Sequence, residues 1–306
     1  MRKILIPLFF ILCTLSGCSL SGNSEKQIIA DHTVVDRFND IPQEYIDEVK
    51  KMWVSYAGES HSSGVRIGSI LLEQLDSRFQ VNVTESGIPE AYTELYLRLS
   101  SGTRGDLSTT ASWVYDYGEE DWFTSATAIE NTRAGLTYYN TTGPALDVIG
   151  FGWCWDHPVY INSSEIADYL SATQEYIDYC AVNSYPTVII FTTGPVDGYS
   201  GVDAYNRYVS EQQIRTYVLA DSSRILFDYA DILSWNNSGV ENQQIYNSNT
   251  YHLIHQDNMQ DYDASWNTIT HSEDGDHIGE VGALRLAKAM WWMLARIAGW
   301  DGESSN

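Results

Sequence analysis

The chain has few basic residues. Its 306 residues include 17 Lys and Arg against 41 Asp and Glu, and the formal net charge is −24 at pH 7. A chain this acidic repels nucleic acid and anionic membrane surfaces, so we expect no binding to either through charge attraction. Only five of the basic residues are Lys, which is compatible with a salt-adapted surface. Neutral substrates fit this composition better than anionic ones.

The apolar run near the N-terminus is too short to predict a membrane span. It extends from Ile4 to Leu15, after Met1-Arg2-Lys3 and before Ser16-Gly17-Cys18. Charged, apolar and small-residue regions in this order are typical of an export signal. Leu15-Ser16-Gly17-Cys18 also resembles the bacterial lipoprotein processing box, which implies that Cys18 becomes a lipid-bearing first residue in the cell envelope. An ordinary signal peptide cut nearby is the alternative.

Cysteine is also rare, with four residues in the chain. Cys13 would leave with the signal peptide and Cys18 would carry the lipid, so Cys154 and Cys180 remain in the folded part. In an exported, oxidising setting these two could form a disulfide. Two buried thiols are the competing interpretation, because pairing depends on the Cα separation.

The sequence contains no internal repeat, and no linker follows the polar tether predicted for residues 18–33. Residues 34–306, in a chain with 43% hydrophobic residues, are therefore predicted to form one domain with a sizeable core. Short apolar runs alternate with helical patterns, which predicts an α/β fold, namely a three-layer α/β/α sandwich with a mainly parallel sheet. The predicted strands are 49–57, 79–83, 95–99, 146–151, 188–192 and 224–228, and the predicted helices are 64–75, 126–139, 165–180, 204–220 and 279–297.

Candidate catalytic residues follow the ends of predicted strands, where parallel sheets form their ligand crevices. Ser60 follows the first strand at a sharp turn into a helix, which would expose its hydroxyl beside main-chain amides. Asp274 stands three residues before His277 at the start of the last helix, a spacing that lets a carboxylate hold the tautomer of a general base. Helix capping by Ser272 or Asp274 is the simpler explanation of that segment.

Two of these segments together resemble the SGNH, or GDSL-like, hydrolase superfamily of esterases. Gly58-Glu59-Ser60 is similar to its first block, Gly-Asp-Ser, and Asp274-Gly275-Asp276-His277 is similar to its last block, Asp-x-x-His. The resemblance covers nearly the whole mature chain and implies a flavodoxin-like sheet. It also implies hydrolysis of carboxylic esters without metal or cofactor: Ser60 attacks the carbonyl, His277 takes its proton, and Asp274 orients His277.

The sequence departs from the family at its third block, which normally reads Gly-x-Asn-Asp. The corresponding segment Gly152-Trp153-Cys154-Trp155-Asp156 lacks the Asn whose side chain donates to the oxyanion. Loss of one such donor reduces turnover by ~10²- to 10³-fold. Cys154 or Trp155 stands near the position of the Asn, and an indole N–H of Trp153 or Trp155 could donate instead. Trp153, Trp155 and Asp156 are also candidates for contacting the substrate.

The glycine of the second block, whose amide joins the oxyanion hole, is either Gly87 or Gly105. We favour Gly105, although each is also explained as an ordinary turn glycine. Ser62 is a rival nucleophile, and His255 and His271 are alternative bases. The acidic residues between Asp261 and Asp276 lack the spacing of an EF-hand, so no metal is expected there.

Aromatic residues are abundant, with 10 Trp and 21 Tyr. Trp291 and Trp292 in the last helix are predicted to lie in the core. Aromatic residues between Trp113 and Phe123, together with Trp153 and Trp155, either pack in the core or stack on sugar rings. The expected partner is thus a small-molecule or polysaccharide ester, with membrane contact only through lipid on Cys18. A non-catalytic domain that binds glycan or protein, and an acyltransferase, are the alternative functions.

Overall fold

A computed structural model describes residues 26–58, 60–85, 91–101, 104–106, 112–114, 121–143, 145–153, 164–196, 198–259 and 278–303. The described helices are α1 Gln43–Lys50, α2 Ser60–Leu75, α3 Asp121–Thr124, α4 Ala126–Thr141, α5 Glu165–Asn183, α6 Val202–Leu219, α7 Tyr229–Ser234 and α8 Glu280–Ile297. The described strands are β1 Ile29–Ala30, β2 Trp53–Gly58, β3 Val81–Thr84, β4 Leu97–Ser100, β5 Arg104–Asp106, β6 Ser112–Val114, β7 Val148–Gly152, β8 Val188–Ile189, β9 Phe191–Thr192, β10 Leu226–Phe227, β11 Gln243–Tyr246 and β12 Asn249–His252.

Parallel pairing dominates the sheet structure. Five strands lie in the order β3-β4-β2-β7-β8, and three more in the order β1-β10-β9, with every neighbouring pair parallel. The two groups meet at Ile190, where the chain passes from bonding β7 to bonding the segment before β10: the amide of Ile190 donates to Ile149 and that of Phe191 donates to Ile225. The hairpins β5–β6 and β11–β12 are antiparallel.

Side chains alternate between the two faces of the sheet, as the period of two requires. Val148 and Phe227 pack with α1, α2, α7 and α8, whereas Ile149 and Leu226 pack with α4, α5 and α6. Helices therefore cover both faces, and the fold class predicted from the sequence is confirmed as an α/β/α architecture. Trp291 and Trp292 of α8 are 0% and 3% exposed, so their predicted place in the core is also confirmed.

The N-terminal part of the domain differs from the prediction. The predicted tether ends at residue 33, but Ile29 and Ala30 already form β1, and Ala30 is fully buried. The side-chain amide of Gln27 donates to the carbonyl oxygens of Val218, Asp221 and Arg224, on the turn between α6 and β10. The tether boundary is therefore wrong, because a short apolar stretch inside a polar segment supplies an edge strand.

The boundary between α1 and β2 also differs from the prediction. Residues 49 and 50, predicted as the start of a strand, end α1 instead, and β2 begins at Trp53.

Cys180 is a free, buried thiol on α5, and burial raises its pKa to about 11. It lies 15 residues into α5, about 22 Å along the axis from Glu165. In the described part of the chain, no helix is both long and apolar enough to cross a membrane.

Candidate active site

The carboxyl ends of the parallel strands bring several polar segments to one edge of the sheet. The chain runs from β2 to β4 on one side of β2 and later returns to β7 on its other side. Strand order therefore reverses between β2 and β7, and this point of an open α/β sheet is where ligands bind. The turn from β2 into α2 lies there, and Ser60 is the first residue of α2.

Two glycines allow that turn to lie against β7. Gly58 has φ +131°, which side chains disfavour, and a Cβ built on it would stand 2.0 Å from the carbonyl oxygen of Gly152. A Cβ on Gly152 would in turn stand 2.4 Å from the Cβ of Ser62. Both positions exclude a side chain because the backbones of β2, β7 and the first turn of α2 are in direct contact.

The start of α8 packs on the same helix. A Cβ built on Gly64 would stand 2.6 Å from the Cδ1 of Ile278. A Cβ built on Gly68 would stand 1.9 Å from the carbonyl oxygen of Ala283. The amide of Gly279, the N-cap residue of α8, donates to the carbonyl of Asn258 at 2.9 Å. The segment that enters α8 is thus held one turn beyond Ser60 along α2.

A narrow crevice lies at the switch point, between β2, the first turn of α2 and the residues that follow β7 and β9. The hydroxyl of Tyr229 donates to the carbonyl of His61 at 3.3 Å, and burial raises the pKa of Tyr56 far above its ordinary value. The lining residues are Tyr56, His61, Ser62, Gly152, Trp153, Thr193, Pro195 and Tyr229.

The indole of Trp153, considered above as an oxyanion donor, has another hydrogen-bond partner in the structure. Its indole N–H donates to the carbonyl of Thr192 at 3.0 Å, and the residue is 2% exposed in the core cluster of α4, α5 and α6. The ring stacks edge-on against Tyr169. Because the only polar hydrogen of its side chain is donated to β9, the indole of Trp153 forms part of the wall of the crevice.

A buried ionic chain supports the wall formed by Thr193. The Thr193 hydroxyl donates to Asp228 at 2.9 Å, and Asp228 accepts from the Nε and Nη2 of Arg215 at 2.6 and 2.7 Å. Asp228 is the last residue of the strand predicted for residues 224–228. Its position near the site could therefore have been predicted, because polar residues at the ends of parallel strands lie near the ligand crevice. Arg66, described below, had no comparable signal.

The described residues leave the predicted triad incomplete. Ser60 is placed at the start of α2, but Asp274 and His277 lie outside the described residues, as do His271 and Cys18. The same holds for Gly87, Cys154, Trp155 and Asp156. Gly105 lies in β5, opposite Trp113 of β6. It follows β4, which is next to β2, whereas Gly87 follows β3, which lies one strand further out.

Two alternatives from the sequence have other contacts. Ser62 is fully buried, and its hydroxyl accepts from Arg66. His255 directly precedes the 3-10 helix Gln256–Met259 and accepts the amide N–H of Asp257 at its Nδ1. Both residues therefore have structural roles.

Among the described residues, only Asp31, His32 and Asp231 form a group suited to hold a metal ion, with ligand atoms within 4.8 Å of one another. His32 Nδ1 lies 2.5 Å from Asp231 Oδ2, and the imidazole stacks on Trp235 with centroids 4.0 Å apart. Burial lowers the pKa of His32, but the hydrogen bond and charge of Asp231 outweigh it and raise that pKa overall. The group contains the ion pair of His32 and Asp231 and lies just after β1. That strand is four strand spacings, or about 19 Å, from β2.

Comparisons with known proteins give little beyond this geometry. No protein-family model matches the chain, and no curated protein matches it. Among solved structures the chain is similar to one described as "a putative SGNH hydrolase from Slackia heliotrinireducens", with 16% sequence identity and a TM-score of 0.40. The similarity covers 81% of this chain and 99% of that one. A likeness at this level carries no functional argument, so the site is argued from its own residues.

Proposed function

We propose that the protein is a serine hydrolase of carboxylic esters, with Ser60 as nucleophile, His277 as general base and Asp274 as the residue that orients His277. One observation carries the proposal: Ile278, which follows His277 in the sequence, packs on Gly64, one turn after Ser60 in α2. Adjacent Cα atoms are about 3.8 Å apart, and Gly64 lies about 6 Å along α2 from Ser60. These short steps support a site in which the two side chains meet.

The chemistry follows from these roles. The Ser60 hydroxyl oxygen attacks the ester carbonyl while its proton passes to His277, and collapse of the tetrahedral intermediate expels the alcohol, which takes that proton. Water, deprotonated by His277, then attacks the acyl-enzyme and releases the carboxylic acid and Ser60. The first amides of α2 point toward negative charge that develops at its N-terminus. We propose these amides and that of Gly105 as oxyanion donors.

Neutral esters are the substrates we propose, including acyl groups on polysaccharide. The net charge of −24 disfavours anionic substrates through long-range repulsion. In this proposal the protein is exported, and lipid on Cys18 holds it at the cell envelope. Replacing Cys18 by Ala should move the protein from the membrane fraction to the soluble fraction of cells that express it; an unchanged distribution would contradict lipidation.

Covalent labelling tests the nucleophile directly. A fluorophosphonate probe should modify the folded protein at Ser60, located by fragmentation mass spectrometry, and p-nitrophenyl acetate should be hydrolysed. Ser60→Ala should abolish both. Ser69→Ala is a matched control, because Ser69 is buried on the same helix and donates only to Val65 of α2; it should keep both activities.

Two results would reject the proposal. Folded parent protein that remains unlabelled and inactive would favour a non-catalytic binding domain, and labelling at Ser62 alone would assign a different nucleophile. Adding glycerol as an acceptor separates hydrolysis from acyl transfer, because a transferase would form acetylglycerol in place of acetate.

A further inference from the structure

Arg66 is a buried charged residue of α2, six positions after the proposed nucleophile. Its side chain is 4% exposed, whereas that of its ion-pair partner Glu85 is 50% exposed, with Nε and Oε1 2.8 Å apart. Its Nη1 donates to the carbonyl of Tyr56 at 3.0 Å and to the hydroxyl of Ser62 at 3.1 Å. One guanidinium therefore bonds to β2, to the first turn of α2 and to the residue that follows β3.

The contact with Tyr56 occurs where the support of β2 changes. On one side of β2, residues Trp53 to Ser55 pair with β4. On the other side, residues Val54 to Gly58 pair with β7. Tyr56 is the first residue beyond the pairing with β4, and among the described strands only β7 pairs with β2 from there to Gly58. Arg66 thus holds the last residues of β2 at the point where one neighbouring strand has ended.

The contact with Ser62 holds the other side of the turn. Ser62 is fully buried, and Gly152 approaches its Cβ so closely that no side chain fits between them. Ser60 and Ser62 share the first turn of α2, so a displacement of Ser62 displaces Ser60 as well. Arg66 and Gly152 together fix that turn from two directions.

Energy considerations argue against a purely stabilising role. Desolvating a guanidinium is costly, and its ion pair with a half-exposed carboxylate is too well screened to recover that cost. An apolar residue at this helix position would pack without the penalty. What Arg66 adds is directional hydrogen bonding to two elements, and such bonding specifies geometry more than stability.

We propose that Arg66 is a positioning residue that holds Ser60 in its reactive orientation by tying the end of β2 to Ser62. This inference rests on the proposed function. A reacting group misplaced by about 1 Å loses up to ~10²-fold in rate. The loss falls on kcat, because Arg66 acts through the turn and not through bound substrate.

The test compares Arg66→Met with the parent and with Ser69→Ala, using p-nitrophenyl acetate turnover, the rate of fluorophosphonate labelling and thermal melting. Arg66→Met should lower kcat and the labelling rate together by ~10- to 10²-fold, with KM changed less than about twofold. Arg66→Lys, which keeps the charge and a donor, should recover part of kcat. Combining Arg66→Met with Ser62→Ala should give less than the product of the single effects, since both remove one contact.

The failures of the two proposals are distinguishable. Parent protein that neither labels nor turns over ester rejects the proposed function and this inference with it. If the parent and Ser69→Ala are active and folded Arg66→Met has the parental kcat, the result rejects only the role of Arg66. If Arg66→Met does not fold, Ser62→Ala decides, because it keeps Arg66 and Tyr56 in contact; unchanged kcat in that variant overturns the inference.

Discussion

Gly58 is in contact with the carbonyl group of Gly152, so that a Cβ added to Gly58 would lie 2.0 Å from the oxygen. The two residues are paired at the carboxyl ends of β2 and β7. This approach is what allows the chain to turn from β2 into α2 at the switch point of the sheet. The position of Ser60 therefore depends on the absence of side chains at two glycines from separate strands.

Replacing Gly58 by Ala should damage both stability and activity. A left-handed φ costs a side-chain-bearing residue about 1–3 kcal/mol, and the clash with backbone adds to it, so we expect the free energy of unfolding to fall by at least ~2 kcal/mol. Denaturant titration measures the loss. Gly135→Ala in α4 is the matched control: among the described residues its Cβ would meet nothing within 4 Å outside its own helix, and it should gain about 0.5–1 kcal/mol. Equal effects of the two substitutions would contradict the close approach.

The contact between α2 and α8 predicts a graded response at two other glycines. In Gly68→Ala the new Cβ would meet the backbone of Ala283, whereas in Gly64→Ala it would meet the flexible end of Ile278. Overpacking of this kind costs about 1–3 kcal/mol, and we expect Gly68→Ala to lie at or above the upper end and Gly64→Ala near the lower. A Gly64→Ala variant that is less stable than Gly68→Ala would show that the helices are held differently.

Turnover of these two variants is informative on the site itself. Because Ile278 follows His277 directly, a shifted Ile278 in Gly64→Ala should lower kcat even where most stability remains. Ester hydrolysis measured at a temperature at which both variants are folded separates the two effects. Parental kcat in folded Gly64→Ala would remove the support that this contact gives to the triad.

The ion pair of His32 and Asp231 predicts a pH-dependent stability. The pKa of His32 is raised and that of Asp231 is lowered, in the latter case because bonds to His32 outweigh burial. The contribution of His32 is complete below its unfolded pKa of about 6.5 and is lost as pH rises through the higher folded value. That of Asp231 is complete above about 3.9 and is lost as pH falls through its lower folded value. The pair therefore stabilises most between about pH 4 and 6.5.

His32→Phe tests that window, since a phenyl ring keeps the stacking on Trp235 but carries no charge. The variant should be less stable than the parent at pH 5.5, and the difference should shrink at pH 9, as followed by chemical denaturation at both pH values. Asp231→Asn should reduce the pH 5.5 effect of His32→Phe in a double-mutant cycle. A loss of the same size at both pH values would show that packing, not charge, explains the contact.

Cys180 should be unreactive in the folded protein. Burial raises the pKa of its thiol to about 11, so little thiolate is present at pH 8. Peptide mapping after iodoacetamide treatment should show Cys180 unmodified in buffer and modified in denaturant. Isolation of a Cys154–Cys180 disulfide peptide from native protein would contradict the free thiol seen in the structure.

The parallel core of the fold could be predicted from sequence because its strands are buried on both faces. The predicted strands 146–151 and 188–192 contain the apolar runs 148–151 and 188–191, and they correspond to β7 and to β8 with β9. The hairpin β11–β12 could not be predicted, since its strands are largely exposed and polar. Its turn places Asn247 and Ser248 at positive φ without the glycine that usually marks such a turn. The helix α7 is too short to show a period.

The site was predictable to a similar extent. A strand followed by a glycine turn and a helix indicated the position of Ser60, because those signals are local. The role of Arg66 depends on Glu85, 19 residues away, and on a carbonyl of β2, which no sequence pattern records. For Trp153, the sequence indicated a polar hydrogen near the crevice but not that Thr192 accepts it. Side-chain partners across the sheet are set by packing, and packing is known only once the strands are ordered.

The direction of β1 has a practical consequence. Gln27 is bonded to the turn between α6 and β10, at the amino edge of the sheet, and Ser60 lies at the carboxyl edge. Lys26, the first described residue, therefore lies at the back of the domain relative to the crevice. An affinity tag, a carrier protein or a solid support attached on that side of the domain would lie at the opposite edge of the sheet from Ser60, and so would leave the carboxyl edge uncovered.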